Sequence, residues 1–135
     1  MISARNQFSG KVASVTEGAV NGIVTVDVNG TLVTATISMD SIKNLGVEAG
    51  KDATAFVKAT EVMVGVGELK LSARNQFAGK IAKIEKGAVN SIVTIETAVG
   101  VIAATISNAA VADLALEEGK EAVAVIKATA VMIGC

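Results

Sequence analysis

The chain repeats itself. Ser3-Ala4-Arg5-Asn6-Gln7-Phe8 returns unchanged as Ser72-Ala73-Arg74-Asn75-Gln76-Phe77, so residue 3 recurs at 72, an offset of 69. That register holds without a gap. Gly18-Ala19-Val20-Asn21 matches Gly87-Ala88-Val89-Asn90, Thr36-Ile37-Ser38 matches Thr105-Ile106-Ser107, and Lys58-Ala59-Thr60 matches Lys127-Ala128-Thr129. A fixed period sets the structural unit before any other reading, and here the unit is a module of about 65 residues. The expected organisation is a first domain at 1–66, a linker at 67–71 and a second domain at 72–135. Apolar positions drift conservatively between the copies, Val12 to Ile81, Val15 to Ile84, Val26 to Ile95 and Val57 to Ile126, as a packed core tolerates. Arg5 and Arg74, Asn6 and Asn75, Lys58 and Lys127, and Thr60 and Thr129 keep their identities.

Modules this small bury barely enough apolar surface to offset conformational entropy, so they usually carry a staple. A disulfide is excluded because the only cysteine is Cys135, and without histidine there is no cluster for a structural metal. Oligomerisation remains. A hydrophobic fraction of 51% in so short a chain is consistent with apolar surface becoming subunit interface. No apolar stretch is long enough to span a bilayer, and Met1-Ile2-Ser3-Ala4-Arg5-Asn6 lacks the regions of a signal peptide, so a cytoplasmic protein with no membrane partner is expected. Twelve Lys and Arg against thirteen Asp and Glu, with no Trp or Tyr, provide neither the positive footprint nor the stacking platforms of a nucleic-acid binder.

Alternating apolar and polar residues over 8–15, 23–28, 32–37 and 53–57, rich in β-branched side chains, predict half-buried strands. Asn29-Gly30 is a strong hairpin turn, and Ala98-Val99-Gly100 in the second copy predicts a different one. Ser38 as N-cap, Asp40 in the first turn and Gly46 as stop predict a short helix. The apolar run 62–65 is expected to close its module, and the short linker to keep the two modules packed together. The fold class is therefore all-β, two tandem five-stranded Greek-key barrels similar to the oligonucleotide- and oligosaccharide-binding fold, each with a short helix.

No catalytic apparatus is visible. There is no histidine, no recurring pair of carboxylates, and Asp27 and Glu96 match only as solvated positions of a strand. Both modules do carry hydrogen-bond donors at matched places: Ser3, Arg5 and Asn6 at the head, Ser38 after the third strand, Lys58 and Thr60 after the fourth. That inventory suits an acceptor-only tetrahedral anion, held without any metal ligand, and also suits plain surface charges and a helix cap.

The segments Ser3-Ala4-Arg5-Asn6-Gln7, Gly18-Ala19-Val20-Asn21, Thr36-Ile37-Ser38 and Lys58-Ala59-Thr60-Glu61-Val62-Met63 resemble the Mop-type molybdate-binding domain, and the copy from Ser72 matches as well. The whole chain is thus similar to the tandem, di-Mop form of the molbindins. The resemblance implies a non-enzymatic protein that binds molybdate or tungstate for storage and homeostasis, with no other cofactor, in an assembly of six modules, here a homotrimer. It implies oxyanion contacts from Ser3, Arg5, Asn6, Lys58, Ala59 and Thr60, and from Ser72, Arg74, Asn75, Lys127, Ala128 and Thr129. Ser38, Ser41 and Ser107 are implied as contributions from a neighbouring module, with Ala110 standing where the first copy has Ser41. The loops Gly18, Ala19, Val20, Asn21 and Gly87, Ala88, Val89, Asn90 resemble a second class of site near a symmetry axis. Two other readings are an oxyanion sensor acting through a separate partner and a nucleic-acid-binding barrel, the latter opposed by charge and composition.

Overall fold

The structure is a computed structural model and describes residues 2–135. The first module runs β1 (Asn6–Thr16), β2 (Asn21–Val28), β3 (Thr31–Ser38), α1 (Met39–Leu45), β4 (Asp52–Val57) and, after a single 3-10 turn at Ala59–Glu61, β5 (Met63–Gly65). The second repeats this order as β6 (Asn75–Lys86), β7 (Asn90–Thr97), β8 (Gly100–Ser107), α2 (Asn108–Asp113), β9 (Glu121–Ile126), a 3-10 turn at Ala128–Ala130 and β10 (Met132–Gly134).

Each strand follows from its pattern. Along β1 the inward positions are Asn6, Phe8 and Val12, and along β2 they are Val24, Val26 and Val28, a period of two. Asn29 and Gly30 both take positive φ between β2 and β3, the geometry of a two-residue hairpin turn, and Asp27 accepts a hydrogen bond from the Gly30 amide at 2.8 Å. The turn between β7 and β8 does differ: Gly100 sits at φ +119° and the Thr97 hydroxyl donates to its carbonyl. A register shift between Val12 and Ser14, repeated between Ile81 and Lys83, bends the long first strand of each module so that its sheet can curl. At the same strand Gly10 lies so near the Asp27 carbonyl that a Cβ would stand 2.0 Å from its oxygen, and Gly79 meets Glu96 in the same way.

The closing strand is where structure and expectation part. β5 does not complete its own sheet; it pairs with β9, while β10 pairs with β4. The two sheets are therefore β10-β4-β1-β2-β3 and β5-β9-β6-β7-β8, each owning four strands of one module and the last strand of the other. Each sheet curls until its borrowed strand packs against the far edge, β10 on β3 and β5 on β8. The physical reason is that Met63–Gly65 and Met132–Gly134 carry equivalent edges, so exchange preserves every ladder bond while tying the modules together. One hydrophobic core accordingly runs through both, from Phe8, Val24 and Val57 to Phe77, Val93 and Ile126.

Candidate oxyanion site

The β1–β4 ladder ends at the pair Asn6 and Val57. Arg5 precedes one and Lys58 follows the other, so an antiparallel register sets the two cations opposite each other at the end of the sheet. The β6–β9 ladder ends likewise at Asn75 and Ile126, which places Arg74 opposite Lys127. Ser3, Arg5, Lys58, Ala59 and Thr60 line one cleft of about 470 Å³. Ser72, Arg74, Lys127, Ala128 and Thr129 line a second of about 400 Å³. The three ion pairs among the described residues, Lys11–Asp52, Lys51–Glu48 and Lys83–Glu85, involve none of these four cations. The Glu85 carboxyl is held below its ordinary range first by the hydrogen bond and charge of Lys83, with Arg5 adding a smaller pull.

Two amides shape the head segment. Gln7 donates to the Ala4 carbonyl at 3.1 Å, and Gln76 donates to the Ala73 carbonyl at 3.0 Å, folding the chain around Ser3 and Ser72. Asn6 turns away from the cleft. Only 2% exposed, it donates from Nδ2 to the Ala103 carbonyl at 2.9 Å and accepts from the Ala103 amide at 2.7 Å. Asn75 makes the same pair of hydrogen bonds with Thr34, accepting at 2.7 Å and donating at 2.8 Å, and donates also to the Ile126 carbonyl. The side-chain amides expected among the oxyanion contacts are thus engaged in locking each module to the edge strand of the other. The signal was present in the pattern: Asn6 is in phase with the buried Phe8, whereas Arg5 and Gln7 are out of phase.

Ser38 and Ser107 cap their helices, each hydroxyl accepting at 3.1 Å, from the Ser41 and Ala110 amides. Ser38 also donates to the Ser41 hydroxyl at 2.8 Å. These hydroxyls line neither cleft of their own chain. They sit instead with the Gly-Ala-Val-Asn loops, because the Val20 carbonyl accepts from Met39 and the Val89 carbonyl from Asn108, both at 2.8 Å. Gly18 is required there, since a Cβ would lie 2.3 Å from the Asn21 carbonyl oxygen. Val20 and Val89 point outward, 74% and 72% exposed, beside the helix starts. Strand exchange adds residues that sequence reasoning missed: Met132 and Thr105 of the second module border the first cleft, and Met63 borders the second.

The chain belongs to the TOBE domain family, whose model matches residues 2–64 and 71–133 as two domains in tandem. Its fold is that of ModG, a cytoplasmic molybdate-binding protein solved with molybdate bound: the TM-score is 0.94 at 41% identity, covering 98% of this chain and 97% of that one. A probable molybdenum-pterin-binding protein of Haemophilus influenzae is 57% identical over 66 residues, which are 48% of this chain and 96% of that protein. The molybdenum transport protein ModE of Herbaspirillum seropedicae is 37% identical over 135 residues, 97% of this chain and 50% of its own length. The chain thus spans half the length of that relative.

Proposed function

We propose that this chain binds molybdate or tungstate in its two clefts, without turnover, and serves storage and homeostasis of the oxyanion in the cytoplasm. The observation that carries the reading is the pairing of Arg5 with Lys58, and of Arg74 with Lys127, at the ladder ends, with Ser and Thr hydroxyls beside them. A tetrahedral dianion offers only acceptors, and such charge-assisted bonds from Arg and Lys are the strong ones. The 41% identity to a protein solved with molybdate bound, over nearly the whole of both chains, supports the same ligand class.

All four cations are exposed in the single chain. Desolvating the anion therefore needs another surface, and in this reading it comes from further copies in a homotrimer that bring Ser38, Ser41 and Ser107 to the clefts. Exposed apolar residues recur at matched positions of both modules, Val20 with Val89 and Leu32 with Val101, and these supply the contact. The domains 1–66 and 72–135, joined through 67–71, act as one pair because each completes the sheet of the other.

Calorimetry is expected to show saturable binding of molybdate and tungstate, little response to sulfate, and light scattering a trimer of 13.6 kDa chains. Arg5→Ala or Lys58→Ala is expected to weaken one subset of sites by roughly 2–5 kcal/mol while the assembly persists. Full molybdate stoichiometry at unchanged affinity in both variants would refute the assignment, and a monomer in solution would refute the trimer.

A further inference from the structure

We propose that Thr105 donates its hydroxyl to the anion held in the first cleft, so that the second module supplies part of the first module's site; the inference rests on the oxyanion reading above. Thr105 belongs to β8, yet lines the same cleft as Ser3, Arg5, Lys58 and Thr60. It is half-buried, and its hydroxyl makes no hydrogen bond to another described residue. Every fully buried side-chain polar atom among the described residues does have a partner, so the unbonded Thr105 oxygen is accessible, on a residue that lines the cleft.

Its placement is held from both sides. β8 is the edge strand of its sheet, and two residues earlier Ala103 presents both its N–H and its C=O to the Asn6 side chain. Along an antiparallel edge, alternate residues present their backbone groups outward and alternate side chains share a face. Thr105 therefore offers its own amide and carbonyl on the same open side as Ala103. The 3-10 turn that carries Thr60 packs directly on β8. Asn6, next in the chain to Arg5, thus draws β8 against the cleft, and Thr105 completes a ring of donors with Arg5, Lys58 and the two hydroxyls of the first module.

The two clefts are not equivalent in this respect. The repeat partner of Thr105 is Thr36 on β3, and it does not line the second cleft, where Val125 contributes instead. By that lining the first cleft has one donor more.

The test is calorimetric titration of the full chain with molybdate, in an Arg74→Ala background that leaves only the first cleft competent. Thr105→Val is expected to weaken binding there about fivefold, the usual net effect of one neutral hydrogen bond. Thr105→Ser is expected to restore it, and Thr36→Val in an Arg5→Ala background to leave the second cleft unchanged. Valine keeps the β-branched shape that a strand favours, and Thr105→Ala is read in the same way if valine perturbs the melting temperature. Unchanged affinity in Thr105→Val and Thr105→Ala, alongside lost binding in Arg5→Ala, overturns the inference and leaves the oxyanion reading standing. Absence of molybdate binding by the unsubstituted chain overturns the oxyanion reading itself.

Discussion

Behind α1 in the first module, Gly22 lies under Ile42 and Met39, with so little room that a Cβ would meet the Ile42 Cδ1 at 2.5 Å. At the same place in the second module stand Ser91, Val111 and Asn108. Ser91, 1% exposed, donates to the Asn108 side chain, which in turn donates to the Gly87 carbonyl at 2.9 Å. One copy solves the junction with apolar contact and the other with a hydrogen-bonded chain, and the residues have changed as a set. The cleft donors at the ladder ends, Ser3, Arg5, Lys58 and Thr60 in one module and Ser72, Arg74, Lys127 and Thr129 in the other, have kept their identities. The helix junction has many equivalent solutions because only its shape must be filled, whereas an anion cleft is defined by the identity of its donors.

The largest effects are expected where the modules are locked symmetrically. Asn6→Ala strands the Ala103 amide and carbonyl in a buried place, and Asn75→Ala strands those of Thr34. Each group left unsatisfied costs about 1–3 kcal/mol, so each variant is expected to lose roughly 2–4 kcal/mol in chemical denaturation, Asn75→Ala at least as much because of its third bond. A loss below about 1 kcal/mol in either would break the symmetry of the two locks.

The junction comparison can be broken next. Gly22→Ser alone puts a side chain against Ile42 and is expected to cost roughly 1–3 kcal/mol by overpacking. Adding Met39→Asn and Ile42→Val rebuilds the second module's arrangement and is expected to recover most of that loss, a coupling read from the denaturation midpoints of single and combined variants. Additive losses would mean that the three positions drifted independently.

Most strands, both helix caps and the difference between the two hairpin turns were legible in the sequence, because period-two burial, Ser38 and Asn29-Gly30 are local signals. So was the grouping of Arg5 with Lys58, once the family resemblance named the motifs. The exchange of β5 and β10 was not legible: Met63–Gly65 and Met132–Gly134 present equivalent patterns to equivalent edges, and which edge they reach depends on the path of the linker in three dimensions. Thr105 was hidden for the same reason, since its relation to Arg5 exists only after the modules have been interlocked. The amide of Asn6 suits an anion cleft by its chemistry, but its phase with Phe8 directs it inward.

The smallest expected effect sharpens the comparison at the helix C-termini. The first helix ends at Gly46 with φ +65°, its amide bonded back to Ile42 and Lys43, and a Cβ there would meet nothing nearer than the Lys51 ammonium at 3.7 Å. The second chain path makes the same left-handed turn with Ala115 at φ +50°. A Cβ in that region costs about 1–2 kcal/mol, and glycine returns part of this as unfolded-state entropy, about 0.5–1 kcal/mol. The second module offsets the strain with Lys120, whose ammonium donates to the Leu114 carbonyl at 2.8 Å and the Ala115 carbonyl at 3.2 Å. Lys51, its repeat partner, makes only an exposed pair with Glu48. Ala115→Gly is therefore expected to stabilise the protein by about 0.5 kcal/mol, and Gly46→Ala to destabilise it by about 1 kcal/mol. Lys120→Ala is expected to cost about 1 kcal/mol in the original chain and less in Ala115→Gly, because the carbonyls then have a relaxed backbone around them, while Lys51→Ala changes little. Thermal melts of these four single variants and of Lys120→Ala combined with Ala115→Gly decide it: equal effects of Lys51→Ala and Lys120→Ala would show that the lysine contacts do not compensate for the missing glycine.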